Sequence, residues 1–251
     1  MRSLNISSYS KPSEYQVSDL PKPELHSPKD VLVKVYAASI NPIDVKRADG
    51  ALKLALKDSE FVTCAEEYIG LKPPSLSFEE AASIPLAAMT ALQALRKYRG
   101  DLAGKTVFVP AGCSNPQIST FLIDFANGFH RIVSVSTLPS GDQLQSSSLM
   151  DLPHRPKIPM PFRMGLNLSD QIRKLRARRY NTEYSYMFLE SSGKDLDDLR
   201  RHVEEGRLRT IVGTTVDLQD TSSVRNACDI VYSGRGGLGK VVIRVKADNS
   251  S

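Results

Sequence analysis

The chain has 251 residues, of which 41% are hydrophobic and 24% are charged, a composition typical of a folded globular protein. The formal net charge of +5 is only mildly basic, and no run of about eighteen apolar residues predicts a membrane-spanning helix. Three widely spaced cysteines predict neither a disulfide framework nor a zinc ribbon. The N-terminal sequence lacks the apolar core of a secretory signal, so we expect a cytoplasmic protein with no membrane association.

The first predicted strand covers residues 31–36, VLVKVY, where apolar and polar residues alternate. The following Asn41-Pro42 pair marks a turn. Asp44 is placed to cap a short helix, and Gly50 is placed to end it.

A helix is predicted after Ser77, because Ser77 and Glu80 have the spacing of a capping box. Pro85 then interrupts the helix before a longer apolar helical run. Residues 105–109, KTVFV, predict a buried strand that ends at a turn of small residues closing with Gly112. A strand that ends at such a turn is how a dinucleotide-binding α/β domain begins, with the cofactor expected just beyond it.

Helix and strand patterns alternate in the second half of the chain. Residues 119–127 fit a helix or a strand equally well, and residues 138–162 are proline- and serine-rich and predict an irregular stretch. The remaining predicted elements are strands at 131–137, 182–189, 208–216 and 239–245, and helices at 166–179 (with Ser169 as a candidate cap), 194–206 and 221–228. This order predicts a β-rich domain wrapped around an α/β domain.

Two motifs suggest phosphate binding but lack the necessary context. Residues 234–239 match a dinucleotide fingerprint, and residues 234–240 resemble a phosphate loop. Both motifs need a helix after them, because the helix N-terminus supplies the amides that hold phosphate. A strand follows here, so we predict a glycine-rich turn that enters a terminal strand.

Neither metal nor nucleic-acid binding is expected. The four histidines show no metal-ligand spacing with the cysteines. The densest basic cluster, within residues 173–179, favours a solvated helix face, because no interleaved aromatic residues accompany it. A site for an anionic ligand is the remaining alternative.

Five segments carry a family resemblance: residues 31–50 (VLVKVYAASINPIDVKRADG), 71–95 (LKPPSLSFEEAASIPLAAMTALQAL), 104–112 (GKTVFVPAG), 131–136 (RIVSVS) and 239–245 (GKVVIRV). In this order they resemble the zinc-free, quinone-oxidoreductase-like or enoyl-reductase-like branch of the medium-chain dehydrogenase/reductase superfamily. The resemblance implies an α/β fold, with a partial GroES-like substrate domain (1–82 and 207–251) and a truncated Rossmann-like parallel α/β domain (83–206). It also implies NADPH as cofactor, a small-molecule substrate, hydride transfer to a quinone or activated double bond, and a homodimer as one option.

The resemblance assigns catalytic roles to two residues. Asn41 would orient the cofactor or the substrate with its amide, whereas the alternative is a plain turn residue before Pro42. Thr90 would place its hydroxyl at the nicotinamide ribose or carboxamide. The alternative for Thr90 is a helix-interior threonine that bonds its own backbone.

The resemblance assigns cofactor contacts to further residues. Gly112 would lie at the phosphate turn, and Ser136 and Thr137 would border the nicotinamide, unless they simply end a strand. Lys240, with Gly239, would approach the cofactor or the active-site cleft. The alternative, which the residues alone slightly favour, is a solvated lysine at a turn.

Two pieces of the family pattern are missing from this sequence, one between Ser59 and Glu60 and one after Gly112. The residues after Gly112, CSNPQ, lack the glycines that let a backbone approach the pyrophosphate, and Pro116 removes an amide donor. We therefore expect NADPH binding to be weak or lost and the oxidoreductase activity to be impaired. The alternative function is a cofactor-free pseudoenzyme that acts as a binding or scaffold protein.

Overall fold

The computed structural model describes residues 2–6, 8–25, 27–50, 64–98, 101, 107–108, 120–123, 131–134, 139–146 and 158–245. The strands in these segments are β1 (Arg2–Asn5), β2 (Gln16–Asp19), β3 (Asp30–Val31), β4 (Ala37–Ile40), β5 (Cys64–Ala65), β6 (Val107–Phe108), β7 (Thr120–Ile123), β8 (Arg131–Ser134), β9 (Glu183–Tyr186), β10 (Val212–Asp217) and β11 (Lys240–Arg244). The α-helices are α1 (Pro42–Ala48), α2 (Phe78–Ser83), α3 (Pro85–Arg96), α4 (Gly141–Ser146), α5 (Met160–Arg178), α6 (Gly193–Glu204) and α7 (Thr221–Tyr232). None of the helices in these segments is long and apolar enough to cross a membrane.

A three-stranded sheet in the order β10-β11-β4 joins the two ends of the chain. β11 runs parallel to β10 and antiparallel to β4, with Val241 opposite Ile40 and Ile243 opposite Ala38. The largest core of the described residues packs on this sheet, between α1, α7 and the N-terminal segment around Tyr15. The sheet positions the site described below, because Asn41 directly follows β4 and Lys240 begins β11.

A four-stranded mixed sheet in the order β6-β7-β8-β9 forms the middle of the chain. β8 and β9 are parallel, as in a Rossmann-type unit, whereas β7 runs antiparallel to both of its neighbours. The ambiguous stretch at residues 119–127 therefore contains a strand. The mixture of helices with parallel and antiparallel strands agrees with the predicted α/β class.

The helices of the middle region pack in two places. α3 lies on α6 through a core of Ile84, Met89, Leu199 and Val203. A smaller core of Leu144, Ile158 and Leu166 joins α4 to α5. In α6, Leu199 and Val203 are four positions apart and so lie on one face of the helix.

Several predicted elements are confirmed. Ser77 caps α2, since its Oγ accepts a hydrogen bond from Glu80 N at 3.2 Å while a Glu80 carboxylate oxygen accepts from Ser77 N at 2.8 Å. Pro85 separates α2 from α3. The glycine-rich run at residues 234–239 is a turn that enters β11, as its context predicted.

The predicted strand at residues 31–36 is wrong. Only Asp30–Val31 forms a strand there, paired with Cys64–Ala65, and pairing resumes at Ala37. The apolar side chains between the two strands are largely exposed, including Leu32, Val33 and Val35. Alternation alone cannot supply a hydrogen-bonding partner, and among the described residues β5 pairs with Asp30 and Val31 alone.

Two helix starts also differ from the prediction. Asn41, not Asp44, is the N-cap of α1. α5 begins at Met160, so Ser169 lies inside the helix, where its hydroxyl accepts a hydrogen bond from Arg173 at 3.2 Å. Pro161 in the first turn explains the earlier start, because proline is tolerated there and not farther along a helix.

Candidate functional site

Asn41 and Lys240 lie side by side at the end of the three-stranded sheet. The antiparallel register that sets Val241 opposite Ile40 places the next pair, Lys240 and Asn41, opposite each other. Opposed residues on paired strands lie within side-chain reach. The Lys240 ammonium donates a hydrogen bond to Oδ1 of Asn41.

Both side chains of this pair are buried, with 5% of Lys240 and 6% of Asn41 exposed. Burial disfavours the charged form of an amine, and it lowers the pKa of Lys240 to about 8. The carboxylate of Asp44 acts in the opposite direction, because its negative charge favours the ammonium form. The pair is thus a buried polar group with one titratable member, Lys240.

The turn before β11 explains how Lys240 reaches its position. Gly239 has a φ of +96°, and a Cβ on it would come within 2.6 Å of the backbone nitrogen of Gly213 on β10. The absence of a side chain on Gly239 lets the start of β11 lie close against β10. Lys240 N then donates a hydrogen bond to the carbonyl of Ile211 at 2.8 Å. The preference for a solvated Lys240 is therefore wrong, because the tight turn directs the lysine into the protein rather than into solvent.

Asp44 is a site residue that the sequence placed only as a helix cap. One of its carboxylate oxygens accepts a hydrogen bond from Asn41 N at 2.8 Å. Burial raises the pKa of Asp44, although its hydrogen bonds to Asn41 and the charges of Lys240 and Arg47 oppose the rise. The Asn-Pro-x-Asp spacing carries the signal, since it puts a carboxylate on the third residue of a helix, within reach of the N-cap amide.

Thr90 lies in α3 and is 6% exposed. Its hydroxyl donates to the carbonyl of Leu86 at 2.6 Å, one turn earlier in the same helix. This bond is the local backbone contact that was the structural alternative for Thr90. The hydroxyl oxygen keeps its capacity to accept a hydrogen bond, so the role predicted for Thr90 stays a prediction.

The other predicted cofactor contacts, Gly112, Ser136 and Thr137, lie outside the described residues, as do both positions where the family pattern is interrupted. The described residues that the family resemblance assigns to the nicotinamide end of NADPH include Asn41 and Lys240. Their amide and ammonium groups are hydrogen-bond donors and suit a carboxamide or carbonyl oxygen, which can only accept hydrogen bonds.

Polar groups also cluster outside this pair. Asp170 is almost fully buried beneath the basic cluster of α5, and Lys174 reaches its carboxylate at 2.7 Å. Arg173 lies over the ring of Tyr184, so part of this cluster packs inward and is not a solvated face. A cleft of about 530 Å³ beside it is lined by residues that include Lys174, Arg178 and Tyr184.

A second cleft, of about 460 Å³, lies between α3 and the start of α6. Arg96 forms ion pairs there with Asp195 at 2.5 Å and Asp198 at 2.6 Å, and Gln93 donates to Asp195 at 2.7 Å. Neither cleft is lined by Asn41, Thr90 or Lys240. Within the described segments no group of three or more histidine, cysteine, aspartate or glutamate residues is arranged to hold a metal ion.

Comparison with known proteins identifies oxidoreductases. No family model matches the chain.

The 2-methylene-furan-3-one reductase of Solanum lycopersicum is 26% identical over 162 residues, a match that covers 46% of this chain and 41% of the relative. The NADPH-dependent alkenal/one oxidoreductase of Arabidopsis thaliana chloroplasts is 25% identical, with 51% and 44% covered. The mitochondrial NAD(P)H oxidoreductase RTN4IP1 of Homo sapiens is 28% identical, with 35% and 37% covered. The chain thus spans less than half the length of these curated relatives.

Solved structures share the fold over nearly the whole chain. The quinone oxidoreductase from Coxiella burnetii aligns with a TM-score of 0.57 at 18% identity, covering 98% of this chain and 99% of that one. Mycobacterial Rv1454c, solved in complex with NADPH, aligns with a TM-score of 0.61 at 14% identity, covering 98% and 100%. These neighbours have GroES-like and Rossmann domains, so the predicted fold class is confirmed.

The relatives and structural neighbours of this chain are quinone- and enoyl-reductase-like members of the medium-chain dehydrogenase/reductase superfamily. The family resemblance predicted from the sequence is thereby confirmed.

Proposed function

We propose that this chain is an NADPH-dependent oxidoreductase that reduces a quinone or a carbon–carbon double bond conjugated with a carbonyl group. The observation that carries the proposal is the buried Asn41–Lys240 pair, which brings an amide donor and a cation together where the two chain ends meet. The names of the relatives support the same class of reaction, because they describe reductases that use NAD(P)H.

The proposed reaction needs a group that stabilises negative charge on an oxygen atom. Bound NADPH would supply the hydride. The carbonyl oxygen of the acceptor gains negative charge as the conjugated carbon is reduced, and a hydrogen-bond donor aimed at that oxygen lowers the barrier. We assign this donation to the amide N–H of Asn41, assisted by the positive charge of Lys240.

The residues proposed to hold the cofactor are Thr90, Gly112, Ser136, Thr137 and Lys240. Because the Thr90 hydrogen is used on the carbonyl of Leu86, Thr90 would accept rather than donate a hydrogen bond. We expect weak binding of NADPH, since the sequence after Gly112 has no glycine-rich turn for the pyrophosphate.

The first test is a titration of the purified protein with NADPH, followed by cofactor fluorescence and by thermal unfolding. A ligand that binds the folded state raises the melting temperature, so a saturable fluorescence change with a rise in Tm supports the cofactor assignment. Turnover is then measured as NADPH oxidation in the presence of a panel of quinones and enones.

Asn41→Ala tests the proposed donor, with Asn226→Ala, an exposed asparagine on α7, as the matched control. Removal of one donor to a developing oxyanion costs roughly 10²–10³ in kcat, so we expect a loss of about a hundredfold for Asn41→Ala and little change for the control. Equal activity of the two variants would contradict the assignment.

The alternative function is a cofactor-free binding or scaffold protein. A chain that unfolds cooperatively and yet gives no NADPH signal would favour this alternative over the enzyme. The cytoplasmic location and the homodimer stay predictions. Among the relatives, one is named mitochondrial and one chloroplastic.

A further inference from the structure

The side-chain amide of Asn41 has two faces with different hydrogen-bonding capacity. Its oxygen accepts from Lys240. Its nitrogen carries two hydrogens, and one of them is donated to the carboxylate of Asp44. The acceptor for the other among the described residues is the carbonyl of Ser39 at 3.5 Å, the far limit of a hydrogen bond. One N–H of Asn41 therefore has only this long contact in the described part of the chain.

Lys240 determines which face of the amide points toward it. An ammonium group has three donors and no acceptor, so it can bond the amide oxygen and not the amide nitrogen. If the amide were turned over, its N–H groups would face a buried cation, which is unfavourable in a low-dielectric interior. The ammonium thus selects one of the two amide orientations.

The rest of Asn41 is held independently of Lys240. Asp44 accepts a hydrogen bond from Asn41 N at 2.8 Å, and the carbonyl of Asn41 accepts from Asp44 N at 3.0 Å. These contacts fix the backbone of Asn41, and the carboxylate of Asp44 also accepts from its side-chain amide. The nitrogen of the amide is therefore held by Asp44, whereas its oxygen is held by Lys240, a residue from the other end of the chain.

We propose that Lys240 is a positioning residue, whose ammonium holds Oδ1 of Asn41 so that Asn41 presents an N–H, and not its oxygen, to the carbonyl oxygen of the bound acceptor. This inference rests on the proposed function for its acceptor, whereas the orientation of the amide is a property of the chain alone. A small-molecule carbonyl compound is the ligand class that an N–H donor in this place would recognise.

The charged groups around Lys240 define how the orientation depends on pH. Asp44 on α1 is the titratable group whose charge acts on Lys240. The nearest residues of β4 and β10, Ile40 and Val212, do not titrate, and Glu79 on α2 is engaged with Arg244 at the other end of β11. Loss of the Lys240 proton weakens the contact with Oδ1, so the amide is expected to lose its fixed orientation as the pH rises through the titration of Lys240.

The first arm of the test does not need activity. The full chain is labelled with ¹³C at Cγ of asparagine, and the Asn41 signal is assigned by its loss in Asn41→Ala. In the unmodified protein the Asn41 signal is expected to move with the titration of Lys240. In Lys240→Met it should stay constant with pH, and in Lys240→Arg it should stay near the low-pH position. The inference would be overturned if the Asn41 signal did not change with pH in the unmodified protein. It would also be overturned if the signal changed with pH to the same extent in Lys240→Met.

The second arm measures enone and quinone reduction. Lys240→Met is expected to lower kcat, measured at saturating NADPH, by ten- to a hundredfold, and Lys240→Arg should recover part of that loss. In the Asn41→Ala background, Lys240→Met should have no further effect. An equal loss in both backgrounds would mean that Lys240 acts independently of Asn41, which contradicts a positioning role.

The two arms separate failure of this inference from failure of the proposed function. If the unmodified protein reduces no compound of the panel, the proposed function fails, and the ¹³C signal alone decides whether Lys240 orients Asn41. Thermal unfolding of each variant verifies that it is folded, and Lys240→Arg, which keeps a donor, covers the case in which Lys240→Met does not fold.

Discussion

The ammonium of Lys240 and the amide oxygen of Asn41 form a hydrogen bond between residues 199 positions apart in the sequence. The register of β11 against β4 makes them neighbours, and the turn at Gly239 directs the lysine inward. Lys240 is only 5% exposed, so its charge affects the free energy of unfolding as well as the chemistry of the site. The pair can therefore be studied by unfolding measurements, without an activity assay.

The stability of the protein should depend on the titration of Lys240. Its pKa is lowered from 10.5 to about 8 in the folded state, so between these pH values the unfolded chain binds more protons than the folded one. The free energy of unfolding should therefore rise with pH across this window, on the order of 3 kcal/mol for this group.

Lys240→Met lacks the titrating group and isolates this contribution. Denaturant unfolding of both proteins at several pH values from 7 to about 10.5 gives the difference in stability. As the pH rises, we expect the free energy of unfolding of the unmodified protein to increase relative to that of the variant. Parallel curves would show that the pKa of Lys240 is the same in the folded and unfolded chains.

Val242 is the buried centre of β11, with none of its surface exposed. Val242→Ala removes two methyl groups from a packed site and should lower the free energy of unfolding by about 2 kcal/mol. Val33→Ala is the control, because Val33 is 53% exposed and should cost less than about 0.5 kcal/mol. Urea unfolding measures both, and similar losses would contradict the burial of Val242 in β11.

Ser77 caps α2 through its hydroxyl, so Ser77→Ala should cost about 1 kcal/mol. Ser75 lies two residues earlier in an exposed turn and provides the control. Ser75→Ala should leave the midpoint of chemical unfolding unchanged. If Ser77→Ala matched its control, the capping box would have no energetic role.

Glu79 on α2 and Arg244 on β11 form an ion pair at 2.7 Å. Both side chains are partly exposed, so water screens their attraction, and we expect a coupling energy below about 1 kcal/mol. A double-mutant cycle with Glu79→Gln and Arg244→Gln measures the coupling. The value should decrease in high salt, and a coupling of several kcal/mol that salt does not change would contradict an exposed pair.

The sequence predicted correctly those elements that depend on residues only a few positions apart. The spacing of Ser77 and Glu80 predicted the cap of α2, and the glycines before Lys240 predicted a turn into a strand. Prediction failed where pairing decides the outcome. Residues 31–36 alternate like a strand, yet only Asp30–Val31 finds a partner at that end of the stretch.

The candidate site was predictable only in part. Asn41 and Lys240 both entered through the family resemblance, but the sequence favoured a solvated Lys240, because lysine is usually exposed and no nearby residue signals a partner. Asp44 carried a helix-capping signal, which gave no indication of its effect on Lys240. For Thr90, the structure records the backbone contact that the sequence offered as the alternative.

The sequence by itself determined the cap of α2, the turn into β11, the family resemblance and the identity of the polar residues at the end of β4 and the start of β11. Only the tertiary structure decided that Asn41 and Lys240 meet, and that they do so away from water. The reason is physical: helix caps and glycine turns depend on residues a few positions apart, whereas burial and strand register depend on which distant segments pack together.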